Sequence, residues 1–216
     1  MNLPNKLTCL RMLLVPVLVV IAYIPIEGMI GFIPLKNLIL LAIFCVASVT
    51  DYFDGSIARK RNLITTFGKF LDPIADKLLV VASLLVLVEF RMIPAWIVII
   101  TEARELLVAA SRMLQAKKGN VVAASWYGKV KTVSQMIAII LEFLCATPFF
   151  AFTQGIGTII YESPMVEGGP LLFQGGMVQF VLNILMSVAM CVSLIASIFS
   201  GWDYIKASKD EILESK

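Results

Sequence analysis

Histidine is absent from this chain of 216 residues. That excludes HExxH zinc sites, Ser-His-Asp triads and imidazole general bases at once. The four cysteines, Cys9, Cys45, Cys145 and Cys191, are far apart and form no CxxC pair, so neither thiolate metal ligation nor redox work is expected of them. Charge is scarce as well. Asp, Glu, Lys and Arg make up 15% of the residues, against about a quarter in soluble domains. No small-residue cleavage site follows the first apolar run, which reads as a retained span rather than a signal peptide. There is no internal repeat and no low-complexity tract.

What fills the chain instead is hydrocarbon. Apolar residues make up 59% and the mean hydropathy is +0.91, more than a soluble fold of this length can hide. The pattern predicts an all-α polytopic membrane protein, a single domain over 1–216. Each of its spans needs roughly 20 apolar residues. Six transmembrane helices are expected, at 8–26, 37–58, 69–89, 93–115, 127–149 and 174–201. A short N-terminal amphipathic segment, Met1 to Leu7, is expected along the interface. Pro4, Pro25, Pro34, Pro94, Pro148, Pro164 and Pro170 fall at or between the span ends, whereas Pro16 lies inside the first. Pro73 is expected in the first turn of the third helix, which places Asp72 near its N-terminus. The longest connection, 150–170, reads as a loop on the face opposite the chemistry.

Basic residues set the orientation. Lys6, Arg11, Arg59, Lys60, Arg61, Lys69, Arg112, Lys117, Lys118, Lys129, Lys131, Lys206, Lys209 and Lys216 fall on one face of a six-span layout. Only Lys36 and Arg91 clearly flank the other. Both termini and the polar motif below are therefore expected on the cytoplasmic side of the cell membrane.

Against this background four carboxylates stand out: Asp51, Asp54, Asp72 and Asp76. A charge at membrane depth costs a few kcal/mol on the mildest scale, so these four need opposite charge nearby. Arg59, Lys69 and Lys77 offset part of it, and a divalent cation is the simplest supply of the rest. Asp51 and Asp54 are three apart and Asp72 and Asp76 four apart, so each pair shares a helix face. Antiparallel packing through the short turn between them makes one oxygen-rich pocket, suited to Mg²⁺ or Mn²⁺. Two such ions about 3.5–4 Å apart form a clamp for displacement at phosphorus. Gly55 and Ala58 leave room for a flat group, or simply let helices approach closely. Arg59 can pair with phosphate, or merely mark the cytoplasmic side. A cation pathway in a transporter is the competing account of the aspartates.

The pattern D-x2-D-G-x2-A-R-x8-G-x3-D-x3-D is met without a gap by Asp51, Asp54, Gly55, Ala58, Arg59, Gly68, Asp72 and Asp76. It closely resembles the signature of the CDP-alcohol phosphotransferase family, and the six-span layout agrees over nearly the whole chain. The opening Met1-Asn2-Leu3-Pro4-Asn5-Lys6-Leu7-Thr8 with Arg11, and Thr50 to Gly55, are most similar to the bacterial branch that makes phosphatidylglycerophosphate. The connection between the fifth and sixth spans is longer than that branch leads one to expect. The resemblance implies transfer of a phosphatidyl group from CDP-diacylglycerol to glycerol 3-phosphate, with release of CMP. It implies two Mg²⁺ or Mn²⁺ ions on Asp51, Asp54, Asp72 and Asp76, with Asp76 also the base for the acceptor hydroxyl. It places CDP-diacylglycerol against Gly55, Ala58 and Arg59, and it implies a homodimer among membrane lipid, with no nucleic-acid partner.

Three further basic residues bear on the acceptor. Arg104 lies inside the fourth span, Arg112 eight residues on, and Lys129 at the start of the fifth. Arg104 and Arg112 are about two turns apart and near one face. They read either as a phosphate site for glycerol 3-phosphate, or as an internal ion pair for Arg104 with interfacial placement of the other two. The resemblance supports the phosphate site. Asn5, Thr8 and Arg11 are further candidates for the cytoplasmic opening, with helix capping an equal account of Asn5 and Thr8.

Overall fold

The computed structural model describes residues 3–61, 66–117, 126–149 and 176–213, apart from the side chains of 3–6, 51–61, 66–70, 72, 73, 114, 116, 117, 176 and 207–213. The described helices are α1 (Leu3–Tyr23), α2 (Leu35–Arg61), α3 (Thr66–Glu89), α4 (Ala95–Lys117), α5 (Trp126–Cys145) and α6 (Gly176–Leu213). A helix satisfies its own backbone, and that is why runs this rich in Leu, Ile, Val and Ala adopt it wherever water is excluded. The expected loop over 150–170 lies outside the described residues.

Several boundaries differ from the sequence expectation, and one element was not expected. The lead to the first span is no separate element, because α1 starts at Leu3 and runs unbroken to Tyr23. Pro4 falls in its first turn, where the missing N–H costs nothing, and Pro16 sits inside it without ending it. Helix α3 starts at Thr66, so Pro73 lies about two turns inside rather than in the first turn. Between α1 and α2 a small antiparallel hairpin pairs β1 (Met29–Ile30) with β2 (Ile33–Pro34). Gly31 takes φ +65° in its tight turn, a conformation open to a residue without Cβ.

Side-chain contacts fix which helix ends lie together. Lys36 Nζ at the start of α2 donates to the Ala22 carbonyl at the end of α1 (3.2 Å) and sits 5.5 Å from the Phe90 ring centroid, just past α3. The Phe149 amide, just past α5, donates to the Met92 carbonyl (2.7 Å). Gln179 and Asn183 near the start of α6 donate to the carbonyls of Cys145 (2.8 Å) and Pro148 (3.0 Å). One end of the bundle therefore holds the C-termini of α1, α3 and α5 and the N-termini of α2, α4 and α6. The other end holds the two halves of the aspartate motif.

Helices α5 and α6 pack most extensively, followed by α1 on α2 and α3, and by α4 on α6. The apolar core includes Leu18, Leu40, Phe44, Leu84, Ile139 and Phe143. On α6 the inward face repeats every three or four residues as Gln179, Asn183, Ser187, Met190, Ser193, Ser197, Ser200 and Tyr204. Small side chains along it let the backbones of α5 and α4 approach. The polarity of this bundle is inverted relative to a soluble one. Arg11, Asn37, Lys131, Glu142 and Asn183 are buried, while Leu13, Ile99, Leu106, Val133 and Ile198 are each more than half exposed. Among the described residues one stretch, Met177–Lys206, is long and apolar enough by itself to cross a membrane. The apolar stretches Leu7–Tyr23 and Leu35–Thr50 are shorter.

Candidate active site

The aspartate motif spans the end of α2 and the start of α3, two helices in contact. Asp51, Asp54, Gly55, Ala58 and Arg59 occupy the last three turns of α2, and Gly68, Asp72 and Asp76 the first three turns of α3. On these backbones Asp51, Asp54 and Ala58 share one face, as do Gly68, Asp72 and Asp76. The side chains of Asp51, Asp54, Gly55, Ala58, Arg59, Gly68 and Asp72 lie outside the described residues. Asp76 is described. It is exposed and precedes Lys77.

Lys77 leads from the motif into an ionic cluster centred on Glu105 of α4. Glu105 Oε1 accepts from Arg104 Nη1 at 2.9 Å and from Lys131 Nζ of α5 at 2.8 Å, and its Oε2 lies 3.8 Å from Lys77 Nζ. One carboxylate thus joins cations from three helices. Lys131 and Arg104 are buried, at 4% and 8% exposure. Glu102, one turn before, lies within electrostatic range of Lys131 and Lys77. Among the described residues, Lys77, Arg104 and Lys131 thus gather around Glu105. Arg104 is held on a second side by Ser200 of α6, whose hydroxyl accepts from Nη2. The sequence left open an internal ion pair or a phosphate ligand for Arg104; the structure contains the ion pair.

Arg112 lies two turns further along α4 and is exposed. Its Nε and Nη2 both donate to the Tyr204 hydroxyl of α6, at 3.3 and 2.8 Å, and its guanidinium carbon is 5.5 Å from that ring's centroid. Lys129 is exposed in the first turn of α5. It is two residues from Lys131, and positions two apart do not share a helix face. The α5 lysine that turns into the bundle is Lys131, which sequence reasoning counted only toward orientation. Its signal was available: Lys131, Gln135, Ala138 and Glu142 follow one another at steps of three and four, and all are buried. The sequence offers no such clue to Ser200 or Tyr204, which lie more than 90 residues from their arginines. Thr8 and Arg11, three apart on α1, are both buried.

A family model described as CDP-alcohol phosphatidyltransferase matches residues 1–163, three quarters of the chain and the whole of the aspartate motif. The chain belongs to the CDP-alcohol phosphatidyltransferase family. Among curated relatives it is similar to the CDP-diacylglycerol–glycerol-3-phosphate 3-phosphatidyltransferase of Bacillus subtilis, 46% identical over 153 residues, which cover 68% of this chain and 79% of the relative. Proteins of the same name from Salmonella choleraesuis and Escherichia coli K12 are 41% identical over 145 residues, covering 64% of this chain and 74% of each relative. CDP-alcohol phosphatidyltransferases generally use divalent metal. Of the four aspartates only Asp76 has a described side chain; it is exposed and offers the hard oxygen donors that such ions take. In this CDP-alcohol phosphatidyltransferase Tyr204 and Ser200, the α6 partners of Arg112 and Arg104, lie beyond the residues matched to the family.

Proposed function

We propose that the chain transfers the phosphatidyl group of CDP-diacylglycerol to glycerol 3-phosphate, forming phosphatidylglycerophosphate and CMP. The observation that carries this reading is the contact of Lys77 with Glu105. It joins the cationic side chains of α4 and α5 to the helix that carries Asp76, which supports a phosphate-bearing acceptor next to the base that activates it. The shared name of the relatives supports the same acceptor.

In this reading Asp51, Asp54, Asp72 and Asp76 hold two divalent ions, Mg²⁺ or Mn²⁺, which when bound screen phosphate charge and acidify the acceptor hydroxyl. Gly55 and Ala58 leave space for the cytidine, and Arg59 pairs with a phosphate of the donor. Arg112 and Lys129 take the acceptor phosphate at the exposed rim. Arg104, already bonded to Glu105 and Ser200, adds its charge from behind. Asp76 accepts the proton of the acceptor hydroxyl. The hydroxyl oxygen attacks the phosphorus bonded to diacylglycerol, a new P–O bond forms, and the P–O bond to CMP breaks.

The setting is a cytoplasmic membrane crossed six times, with both termini and the active site in the cytoplasm, and the chain paired as a homodimer in lipid. The inverted polarity supports the spans, since a polar interior under an apolar exterior is what hydrocarbon solvent favours. The crowding of Lys and Arg at the motif's end, with Lys36 and Arg91 at the other, supports the orientation.

The test is CMP release by the purified chain from CDP-diacylglycerol, with Mg²⁺ or Mn²⁺ and a panel of acceptors. Glycerol 3-phosphate is expected to release CMP, and Arg112→Ala or Lys129→Ala to raise its KM far more than that of CDP-diacylglycerol. Release with serine or inositol phosphate alone would refute the acceptor. No release with any acceptor would refute the reaction and favour cation transport.

A further inference from the structure

We infer that Tyr204 of α6 is a positioning residue for the acceptor phosphate and acts through Arg112. The inference rests on the acceptor reading above and extends the site to a helix beyond the residues matched to the family. A free arginine side chain samples many rotamers, and a binding site gains affinity when that freedom is removed beforehand. Here one hydroxyl receives both Nε–H and Nη2–H of Arg112, and the ring lies 5.5 Å from the guanidinium carbon. Two bonds from one edge of a planar fork to a single oxygen fix its plane as well as its place. Nη1 carries no hydrogen bond among the described residues, so the fork keeps donors for phosphate oxygens. Tyr204 is itself only 4% exposed, so its hydroxyl is a fixed anchor and not a mobile surface group.

Register supports the same role. Ser200 and Tyr204 are four residues apart on α6, and Arg104 and Arg112 eight apart on α4, with the order conserved along both helices. The rise of about 12 Å on α4 against about 6 Å on α6 is bridged by the long tyrosine side chain. A shorter residue at 204 leaves Arg112 unheld.

The experiment measures steady-state KM for glycerol 3-phosphate and for CDP-diacylglycerol with the full chain and its Tyr204→Phe, Arg112→Ala and doubly substituted forms. Tyr204→Phe keeps the ring and removes only the oxygen. It is expected to raise KM for glycerol 3-phosphate about tenfold, the scale of one hydrogen bond to a charged group, with KM for CDP-diacylglycerol and kcat held within about twofold. In the Arg112→Ala background it should add nothing further. An unchanged acceptor KM in Tyr204→Phe, while Arg112→Ala raises it, would overturn the role of Tyr204 and leave the acceptor reading standing. So would an equal effect of Tyr204→Phe with or without Arg112, or an equal loss for both substrates. If Arg112→Ala itself leaves the acceptor KM unchanged, both the acceptor assignment and this inference fall.

Discussion

At the scale of single residues, Glu105 decides the electrostatics of the site. Its side chain is 21% exposed, and it is bonded to two cations whose side chains are 5% and 9% exposed. Removing one member of a buried, bonded charge set costs about 3–5 kcal/mol, because the remaining charges lose their counter-ion while still out of water. Glu105→Gln keeps the shape and one acceptor oxygen but leaves Lys131 and Arg104 uncompensated. Its midpoint of thermal unfolding in detergent should fall well below that of Glu102→Gln, whose partly exposed carboxylate is expected to cost under about 1 kcal/mol. Equal midpoints for the two variants would contradict a junction at Glu105. The aspartate motif stands out at this scale because its residues recur at helical intervals; of its four carboxylates, that of Asp76 is described. Lys131, the α5 cation that meets Glu105, was counted only toward orientation, since charge counting ignores which face of α5 looks inward. The link of Tyr204 to Arg112 was invisible, because no local rule links residues 92 apart.

At the scale of elements, the helices were legible as apolar runs, and their ends were not. Hydropathy marks where oil stops, whereas a helix stops where its last carbonyls find other partners. Helix α6 continues to Leu213 through Lys206, Lys209 and Glu211, all good helix formers, well past the apolar stretch. The hairpin of two-residue strands is too short for any periodicity. Helix α3 shows how an end is made: the Met92 amide donates to the Leu87 carbonyl and the Arg91 amide to the Val88 carbonyl, with Arg91 at φ 56°. Helix α5 ends in a simpler form, the Ala146 amide donating to the Glu142 carbonyl with Ala146 at φ 51°. A left-handed conformation costs an L-residue about 1–2 kcal/mol. Ala146→Gly removes that cost at a partly buried site and should stabilise the chain by about 1 kcal/mol, read as a raised midpoint of thermal unfolding. A lowered midpoint would contradict the αL ending of α5.

At the scale of the whole molecule, chemistry is gathered at one end. The contacts of Lys36, Phe149 and Gln179 put three helix C-termini and three N-termini at the far end. By continuity the segments bearing Asp51 and Asp76, Arg112, Lys129 and Tyr204 lie at the other. In the proposed reading the carboxylates and the cationic cluster are complementary halves of one site, and the contact of Lys77 with Glu105 supports it. On that reading the acidic half would hold metal and the donor's pyrophosphate, and the basic half the phosphate of the acceptor. The most direct test is a crystal of the full chain grown with Mn²⁺ and glycerol 3-phosphate, read by anomalous scattering at the manganese edge. The account predicts two manganese peaks among Asp51, Asp54, Asp72 and Asp76, with the acceptor phosphate against Arg112 and Lys129 on the Lys77 side of Asp76. Manganese bound elsewhere, or a phosphate seated away from α4 and α5, would contradict it.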